Sequence, residues 1–392
     1  MDLRFSPADE AFRAEVRGWL AEALSGEHAG LRGLGGPGRE HEGLAERAEW
    51  ERRLGAAGWI GLGWPVEQGG RAATLTQQVL FHEEYARADA PGRLGHMGEQ
   101  LLAPTLLHFG TEAQRQRFLP GIAAGKELWC QGYSEPGAGS DLAAVATRAV
   151  RYGDDWVLQG QKVWTSLAHV ADWCFALCRT DPAAGKHAGL SFLLVPMRQP
   201  GVEVRPIVQL TGTSEFNEVF FDGARTPVDN TVGAPGEGWR VAMGTLAFER
   251  GVATLGQQVG FARELDQVVA MARERGLAAD PMIRERLADA WIGLRVLRYY
   301  ALLSTREGTP GTEASVAKLL WATWHQRLGE LAMEVLGPAA TLTPPPGEGS
   351  PYPLTALQRL FLFTRADTIY GGSHEVQRGI VAERMLGLPR AR

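Results

Sequence analysis

The chain of 392 residues is long enough for two or three domains with sizeable hydrophobic cores. Apolar residues make up 45% of it and charged residues 22%, which is typical of a soluble globular protein. Because the net charge is only −5 and no long block of one sign occurs, the sequence gives no reason to expect binding to nucleic acid or to an anionic membrane surface.

The three cysteines, Cys130, Cys174 and Cys178, are too few and too odd in number for a disulfide framework. Cys174 and Cys178 fall in an apolar run, so we interpret them as packing residues. The nine histidines show no metal-ligand spacing with cysteines or carboxylates, and no metal site is predicted. The first ten residues lack the apolar stretch of a secretory signal, and no apolar run of about 18 residues could span a bilayer. We therefore expect a cytoplasmic protein.

Residues 1–125 are predicted to form an all-helical domain. Ser6, Pro7 and Asp9 supply a hydroxyl cap, a proline in the first turn and an acid three residues after the cap, which together favour a helix start. Apolar residues then recur at helical spacing. The same periodicity predicts further helices at 44–58, 74–88, 98–109 and 112–119.

The composition changes at Lys126, and residues 126–233 alternate between short apolar runs and turn residues, as antiparallel barrels and sandwiches do. Residues 147–152 and 156–159, joined by a Gly-Asp-Asp turn, are predicted to form a hairpin. From residue 234 to 392 the pattern is helical again. It predicts long helices at 239–275, 281–305, 312–336 and 354–370 and a short one at 376–386. The predicted fold is α+β: an N-terminal helical domain, a middle antiparallel β domain and a C-terminal four-helix bundle.

The segment 131–141, Gln-Gly-Tyr-Ser-Glu-Pro-Gly-Ala-Gly-Ser-Asp, has an unusual composition. Gly137 and Gly139 allow close approach of the backbone, and Ser134 and Ser140 add short hydroxyls. This combination suits a ligand rich in acceptor oxygens, such as a pyrophosphate or a flavin, although an ordinary Pro-Gly loop is the alternative. A doubly wound dinucleotide fold is excluded because the third glycine is missing and a hairpin follows.

This segment resembles the first signature of the acyl-CoA dehydrogenases. Residues 369–378, Ile-Tyr-Gly-Gly-Ser-His-Glu-Val-Gln-Arg, resemble their second signature. Residues 160–166 match the family's second flavin-contacting strand, and 230–239 match the loop that enters its last domain. The four matches occur in family order over nearly the whole chain. The resemblance implies an FAD-dependent enzyme with helical, β and helical domains in that order.

The resemblance also implies positions for the cofactor and the substrate. The residues that it assigns to FAD are Gln131, Tyr133, Ser134, Gly139, Ser140, Trp164, Thr165, Ser166, Ser373, His374 and Glu375, with Glu334 as a further candidate. Those that it assigns to the acyl-CoA are Ser140, Arg250 and Tyr370. For Tyr133 and Trp164, ordinary core packing is the alternative. The family's Arg-x-x-Phe-Gly motif is missing from 274–286, so we expect the adenosine end of FAD to be held differently.

Many family members carry the catalytic base just after the tyrosine of the second signature, where this chain has Gly371. The Gly371 backbone N–H can still donate to the thioester carbonyl, a role this position has in the family. In other branches the acid lies on the first helix of the bundle, and Glu249 occupies that place. Glu249 is surrounded by apolar residues, which is costly for a carboxylate unless it is paired or functional. A simple ion pair with Arg250 or Arg240 is the alternative.

The sequence thus predicts an acyl-CoA dehydrogenase of fatty-acid β-oxidation type. Glu249 would take the α proton, the flavin would accept the β hydride at N5, and trans-2-enoyl-CoA would form. The family implies an electron-transfer flavoprotein as electron acceptor and a homotetramer. Two alternatives stay open: a flavin oxidase or monooxygenase of the same superfamily, and a subunit of a heteromeric acyl-CoA dehydrogenase. Straight, branched and ring-bearing acyl groups are all compatible with the sequence.

Overall fold

The computed structural model describes residues 5–36, 38–249, 253–304, 313–343 and 353–389. Its N-terminal part is helical, as predicted. The helices are α1 (Pro7–Ala23), α2 (Leu44–Ala56), α3 (Leu75–Arg87), α4 (Ala103–Phe109) and α5 (Glu112–Ala123).

Reciprocal capping boxes begin three of these helices. Ser6 caps α1 and exchanges hydrogen bonds with Asp9, which confirms the predicted helix start, and Thr74 and Thr111 begin α3 and α5 in the same way. Each box satisfies backbone N–H groups that the first helical turn would leave without partners. Helix boundaries are therefore set locally, by residues adjacent in the sequence.

The middle part is one mixed sheet of eight strands with the order β6-β7-β3-β2-β4-β5-β8, and β1 pairs with β4. The strands are β1 (Trp129–Gly132), β2 (Arg148–Tyr152), β3 (Asp155–Ser166), β4 (Trp173–Arg179), β5 (Leu190–Pro196), β6 (Val202–Ile207), β7 (Phe216–Pro227) and β8 (Thr231–Val232). The predicted hairpin is confirmed as β2 and β3, which pair from Tyr152 and Asp155 outward.

Most neighbouring strands are antiparallel, but β1 and β2 both pair with β4 in parallel. β1 lies beside the start of β4, where Trp129 is opposite Trp173, and β2 meets its end, where Arg148 is opposite Arg179. The segment 133–147, which contains most of the first signature, therefore leaves and rejoins the sheet along one edge of β4. The sequence prediction of an antiparallel domain missed these parallel pairs because their partners are distant in the chain.

The centre of the sheet is dry. Cys174 and Cys178 on β4 are fully buried with free thiols, which confirms their interpretation as packing residues. Burial raises the pKa of the Cys178 thiol to about 12, so this thiol stays protonated and unreactive.

The C-terminal part is helical. Its helices are α6 (Gly238–Glu249), α7 (Ala253–Glu274), α8 (Pro281–Ser304), α9 (Glu313–Leu336), α10 (Ala356–Thr364) and α11 (His374–Ile380). The predicted helix over 239–275 corresponds to α6 and α7, and residues 250–252 between them lie outside the described part. The predicted fourth helix ends early, at Thr364, because residues 365–370 form tight turns, such as the 2.8 Å bond from the Ile369 N–H to the Ala366 carbonyl. Among the described residues, no helix has the length and apolar character needed to cross a bilayer.

Candidate functional site

A buried lysine supports the first signature. The Lys162 side chain on β3 is fully buried, and its ammonium donates hydrogen bonds to Glu135 Oε1 at 2.8 Å, to the Leu177 carbonyl at 2.7 Å and to the Tyr133 carbonyl at 3.2 Å. All three donor positions of the ammonium are used, so the charge is compensated despite its burial. The contacts attach the start of the signature loop to β3 and β4.

Glu135 closes the other end of the loop. Its carboxylate accepts hydrogen bonds from the backbone N–H groups of Ala146 at 2.6 Å and Thr147 at 2.9 Å. Burial alone would raise the pKa of this carboxyl, but the Lys162 ammonium and the N–H donors outweigh burial and lower the pKa below its usual value. Glu135 therefore stays ionised and joins both ends of the segment 135–147.

The signature residues face different environments. Gln131 lies on β1 and is half-buried, whereas the Tyr133 ring is buried against Phe175 and Phe192 in edge-to-face contacts. Gly139 and Ser140 are exposed, and a Cβ added at Gly139 would meet no atom within 4 Å. The glycine-serine turn thus leaves open space beside its backbone, as a turn that binds a ligand requires.

The second predicted flavin segment lies next to the first. The Val163 N–H donates to the Ser134 carbonyl at 3.0 Å, which places Trp164, Thr165 and Ser166 beside the signature loop. Trp164 sits at an irregularity in the pairing of β3 with β7 and has a φ of +60°. This conformation is strained for a residue with a large side chain, and strain of this kind is concentrated at functional sites. The indole is 57% exposed, so it is available to a ligand.

Buried polar atoms without partners occur at these predicted positions. Gln131 Nε2 and Thr165 Oγ1 are buried and form no hydrogen bond within the described part of the chain, and neither does His374 Nε2 in the second signature. A buried polar group without a partner costs about 1–3 kcal/mol. A polar ligand that reaches these atoms would remove this cost, so the residues fit a flavin nucleotide.

Helix α6 brings the predicted base towards the signature loop. Val241 and Ala242 on α6 belong to the same buried cluster as Tyr133, and Leu246 packs against it. The Thr245 hydroxyl also lies 2.9 Å from that of Thr105 on α4. The helix is thereby held between the sheet and the N-terminal helices.

Glu249 is the last residue of α6, three residues after Leu246. The Glu249 side chain and the whole of Arg250 lie outside the described part of the structure. Their roles as base and as substrate contact stay predictions.

The second signature forms a tight turn before α11. Gly371 and Gly372 have φ values of +63° and +88°, which only glycine adopts without strain. The Gly371 N–H donates no hydrogen bond to another described residue, whereas the Gly371 carbonyl accepts one from Gln377 Nε2 at 3.0 Å. The Tyr370 hydroxyl donates to Asp367 Oδ1 at 2.7 Å. The turn therefore presents a free backbone donor at the position that the sequence analysis assigned to the thioester carbonyl.

The remaining predicted residues of the second signature lie at the start of α11. Ser373 caps the helix through a 3.4 Å bond from the Val376 N–H, and Glu375 is exposed and lies 4.0 Å from Arg378. Among the described residues, no hydrogen bond or ion pair joins the segment 370–378 to the β sheet. Within one chain the two sets of predicted cofactor residues thus form separate clusters.

Glu334, the further candidate for FAD, lies on α9 and forms an ion pair with Arg286 on α8. This carboxylate already has a partner within its own chain.

The sequence analysis did not identify Lys162 or Glu135 as supports of the site. A signal was available: Lys162 falls on the same face of the alternating β3 pattern as the buried Trp156 and Leu158. A charged residue on the apolar face of a strand indicates a buried partner.

Comparisons with known proteins agree with this arrangement. The family descriptions "Acyl-CoA dehydrogenase, N-terminal domain", "middle domain" and "C-terminal domain" match residues 6–126, 130–224 and 236–386. A relative named acyl-CoA dehydrogenase IpdE1 from Mycobacterium tuberculosis (strain ATCC 25618 / H37Rv) is 63% identical over 385 residues, which cover 97% of this chain and 98% of the relative.

Two solved structures resemble the whole chain. One is titled "Tcur3481-Tcur3483 steroid ACAD", with 34% identity, a TM-score of 0.84 and full coverage of both chains. The other is the ChsE4-ChsE5 complex from Mycobacterium tuberculosis, with 34% identity, a TM-score of 0.82 and full coverage of both chains.

Proposed function

Since the chain belongs to the acyl-CoA dehydrogenases, a family of FAD-dependent oxidoreductases, we propose that it converts an acyl-CoA thioester to the trans-2-enoyl-CoA. The observation that carries the proposal is the shared core of the two predicted halves of the site. Tyr133 of the first signature and Val241 and Leu246 of the helix ending at Glu249 pack in one cluster. A base at the end of α6 would therefore lie beside a flavin held by the signature loop.

The residues proposed to hold the flavin are those of the first signature and of β3, with His374 and its neighbours at the second signature. Gln131 Nε2 and Thr165 Oγ1 would find partners on the cofactor, and the exposed Trp164 indole would cover one of its faces. When bound, FAD supplies the acceptor for the β hydride. The chain itself contributes the position of the thioester, the base and the exclusion of water.

Glu249 is proposed as the base that removes the α proton. Its neighbours on the helix are apolar, and desolvation raises the pKa of a carboxyl and strengthens it as a base. The α proton is acidic enough only when the thioester carbonyl accepts hydrogen bonds that stabilise the developing charge. The Gly371 N–H is the proposed donor, since it has no acceptor among the described residues.

The substrate is proposed to be a ring-bearing acyl-CoA. Support comes from the solved structure titled as a steroid ACAD, which matches the full chain at 34% identity. The backbone at Gly371 also favours a bulky acyl group, because no side chain occupies the position where many family members carry an acid. Electrons are proposed to leave through an electron-transfer flavoprotein.

A heteromeric assembly is the second candidate. The titles of both solved structures name two proteins, and one calls them a complex. Within this chain the two predicted cofactor clusters are separate, and Glu334 pairs with Arg286 instead of being free for a cofactor. A related chain that completes the FAD site would account for these features, whereas a homotetramer is the alternative assembly.

The first test is anaerobic bleaching of the flavin absorbance by a panel of straight, branched and ring-bearing acyl-CoAs. We expect rapid bleaching by the ring-bearing members and slow oxygen uptake by the reduced protein. Glu249→Gln should retain FAD and lose on the order of 10² or more in the rate of reduction, the scale for a positioned base. Asp266→Asn, an acid on the next helix, is the matched control. Reduction of Glu249→Gln at the wild-type rate would contradict the assignment, and rapid oxygen uptake would favour an oxidase.

A further inference from the structure

A histidine is buried between two carboxylates in the C-terminal bundle. His325 Nδ1 lies 2.7 Å from Asp367 Oδ2, and His325 Nε2 lies 2.7 Å from Glu264 Oε2. The His325 ring and Asp367 are almost completely buried. An ionised carboxylate only accepts hydrogen bonds, so both ring nitrogens must carry a proton. The group is therefore an imidazolium held between two anions.

The electrostatic surroundings agree with this charge state. Burial alone would lower the pKa of His325, but the hydrogen bonds and negative charges of Asp367 and Glu264 outweigh burial and raise the pKa to about 9. The Lys318 ammonium lies close by, 4.0 Å from the centre of the Trp321 ring and 4.3 Å from that of Tyr370. Two cations thus balance two anions in this part of the bundle.

The three charged residues connect separate elements. Glu264 lies on α7, His325 lies on α9, and Asp367 lies in the turns that follow α10. The second oxygen of Asp367 accepts the Tyr370 hydroxyl at 2.7 Å. An unbroken chain of side-chain hydrogen bonds therefore runs from α7 through α9 to the residue that precedes Gly371.

Packing alone would hold these helices together. Leu265 of α7 and Leu328 and Leu331 of α9 are already buried in one apolar cluster. Burying several charges costs free energy that hydrophobic side chains would not, and so stability alone is a weak reason for such a network. What the charges add is direction, because Asp367 fixes the Tyr370 ring and hence the path of the backbone into Gly371.

We propose that His325 is a positioning residue for dehydrogenation: through Asp367 and Tyr370 it anchors the Gly371 turn to α7, and so fixes the donor for the thioester carbonyl. The inference rests on the proposed function, in which the Gly371 N–H binds that carbonyl. α7 begins four residues after Glu249, so the same network holds the proposed donor to the helix that follows the proposed base.

The test uses His325→Gln, Asp367→Asn and Tyr370→Phe in the full-length holoenzyme. Trp324→Phe is the matched control. Trp324 is the neighbour of His325 on α9, and its indole donates to the Ala290 carbonyl at 2.8 Å, so the control disturbs the bundle without touching the network. Two quantities are measured: hydrogen exchange of the peptide 365–374 by mass spectrometry, and the anaerobic rate of flavin reduction as a function of thioester concentration.

We expect the three network variants to exchange the 365–374 amides faster than the wild type and the control. A donor displaced by about 1 Å can cost on the order of 10²-fold in rate, so flavin reduction at saturating thioester should slow by about 10- to 100-fold. The half-saturating concentration should change much less, because most of the CoA thioester binds elsewhere. If His325→Gln does not fold, Tyr370→Phe still decides the matter, since it removes a single hydroxyl from a partly exposed side chain.

Unchanged exchange in the network variants overturns the anchoring. Faster exchange with an unchanged rate of reduction overturns the role in catalysis. Should no thioester reduce the wild-type protein, the proposed function fails and takes the catalytic role with it. The exchange data would still support or overturn the anchoring in that case, because exchange needs no turnover.

Discussion

Lys162 Nζ lies 2.8 Å from Glu135 Oε1, and both side chains are buried beneath the loop that carries the first signature. The pair joins β3 to both ends of the segment 135–147, because Glu135 also binds the Ala146 and Thr147 N–H groups. The proposed flavin-binding loop thus depends on one ion pair for its shape, whereas its tip has few contacts of its own.

Removal of one partner of this pair should be strongly destabilising. We expect Lys162→Met to lower the free energy of unfolding by about 3–5 kcal/mol, the cost of an uncompensated buried charge. The control is Lys186→Met, which breaks the exposed pair with Asp141 and should cost less than about 1 kcal/mol. Urea unfolding measures both.

The double variant Lys162→Met/Glu135→Leu provides a second check. It should be more stable than Lys162→Met, because no unpaired charge is left in the interior. A double variant that is no more stable than the single one would show that the loop needs the hydrogen bonds themselves and not only charge balance.

The stability of the bundle should depend on pH through His325. The pKa is about 9 in the folded protein, above the value of about 6.5 expected for an unfolded chain. The contribution of His325 is thus fully present below about pH 6.5 and is lost as the pH rises through 9. The expected loss between pH 6.5 and 10 is on the order of 3 kcal/mol. Urea midpoints across this range should fall for the wild type and stay flatter for His325→Gln.

Much of the fold could be predicted from the sequence because the signals are local. The capping box at Ser6 and Asp9 and the hairpin of β2 and β3 each depend on residues a few positions apart. Hydrophobic periodicity then separates the helical parts from the sheet. The parallel pairing of β1 with β4 has no such signal, since its partners are more than 40 residues apart, as Trp129 and Trp173 show.

The candidate site shows the same division. The signatures and Glu249 were visible as sequence patterns, and the empty side-chain position at Gly371 followed from one residue. The supports were not visible: His325 meets Glu264 across 61 residues and Asp367 across 42. A histidine in an apolar helix announces that it needs partners, but only the packed structure shows which carboxylates they are.

Trp164 allows flavin binding to be separated from folding. Its φ of +60° costs about 1–2 kcal/mol for a residue with a side chain and nothing for glycine. We therefore expect Trp164→Gly to keep or raise the stability of the FAD-free protein. Loss of the aromatic contact should raise the FAD dissociation constant about tenfold, which corresponds to about 1.4 kcal/mol.

The control for Trp164 is Tyr152→Gly, which removes another exposed aromatic side chain from the same sheet. It should leave the FAD affinity unchanged. Quenching of flavin fluorescence during titration of the FAD-free protein measures both constants, and equal affinities for Trp164→Gly and the wild type would remove Trp164 from the proposed flavin site.

Gly371 separates the backbone from the side chain in the proposed chemistry. At a φ of +63°, any L-residue is strained, so Gly371→Ala should cost about 1–2 kcal/mol or rotate the peptide whose N–H is the proposed donor. Either response weakens the hydrogen bond to the thioester carbonyl, and removal of such a donor slows catalysis by about 10²–10³-fold.

The matched control is Gly379→Ala on α11, where the added Cβ meets no atom within 4 Å and alanine favours the helix by about 1 kcal/mol. We expect it to be reduced by thioesters at the wild-type rate. Gly371→Glu restores an acid at the position common in the family, but on a backbone unsuited to it, and so should not rescue Glu249→Gln. Rescue in that double variant would place the proton transfer at residue 371 and remove the reason for assigning it to Glu249.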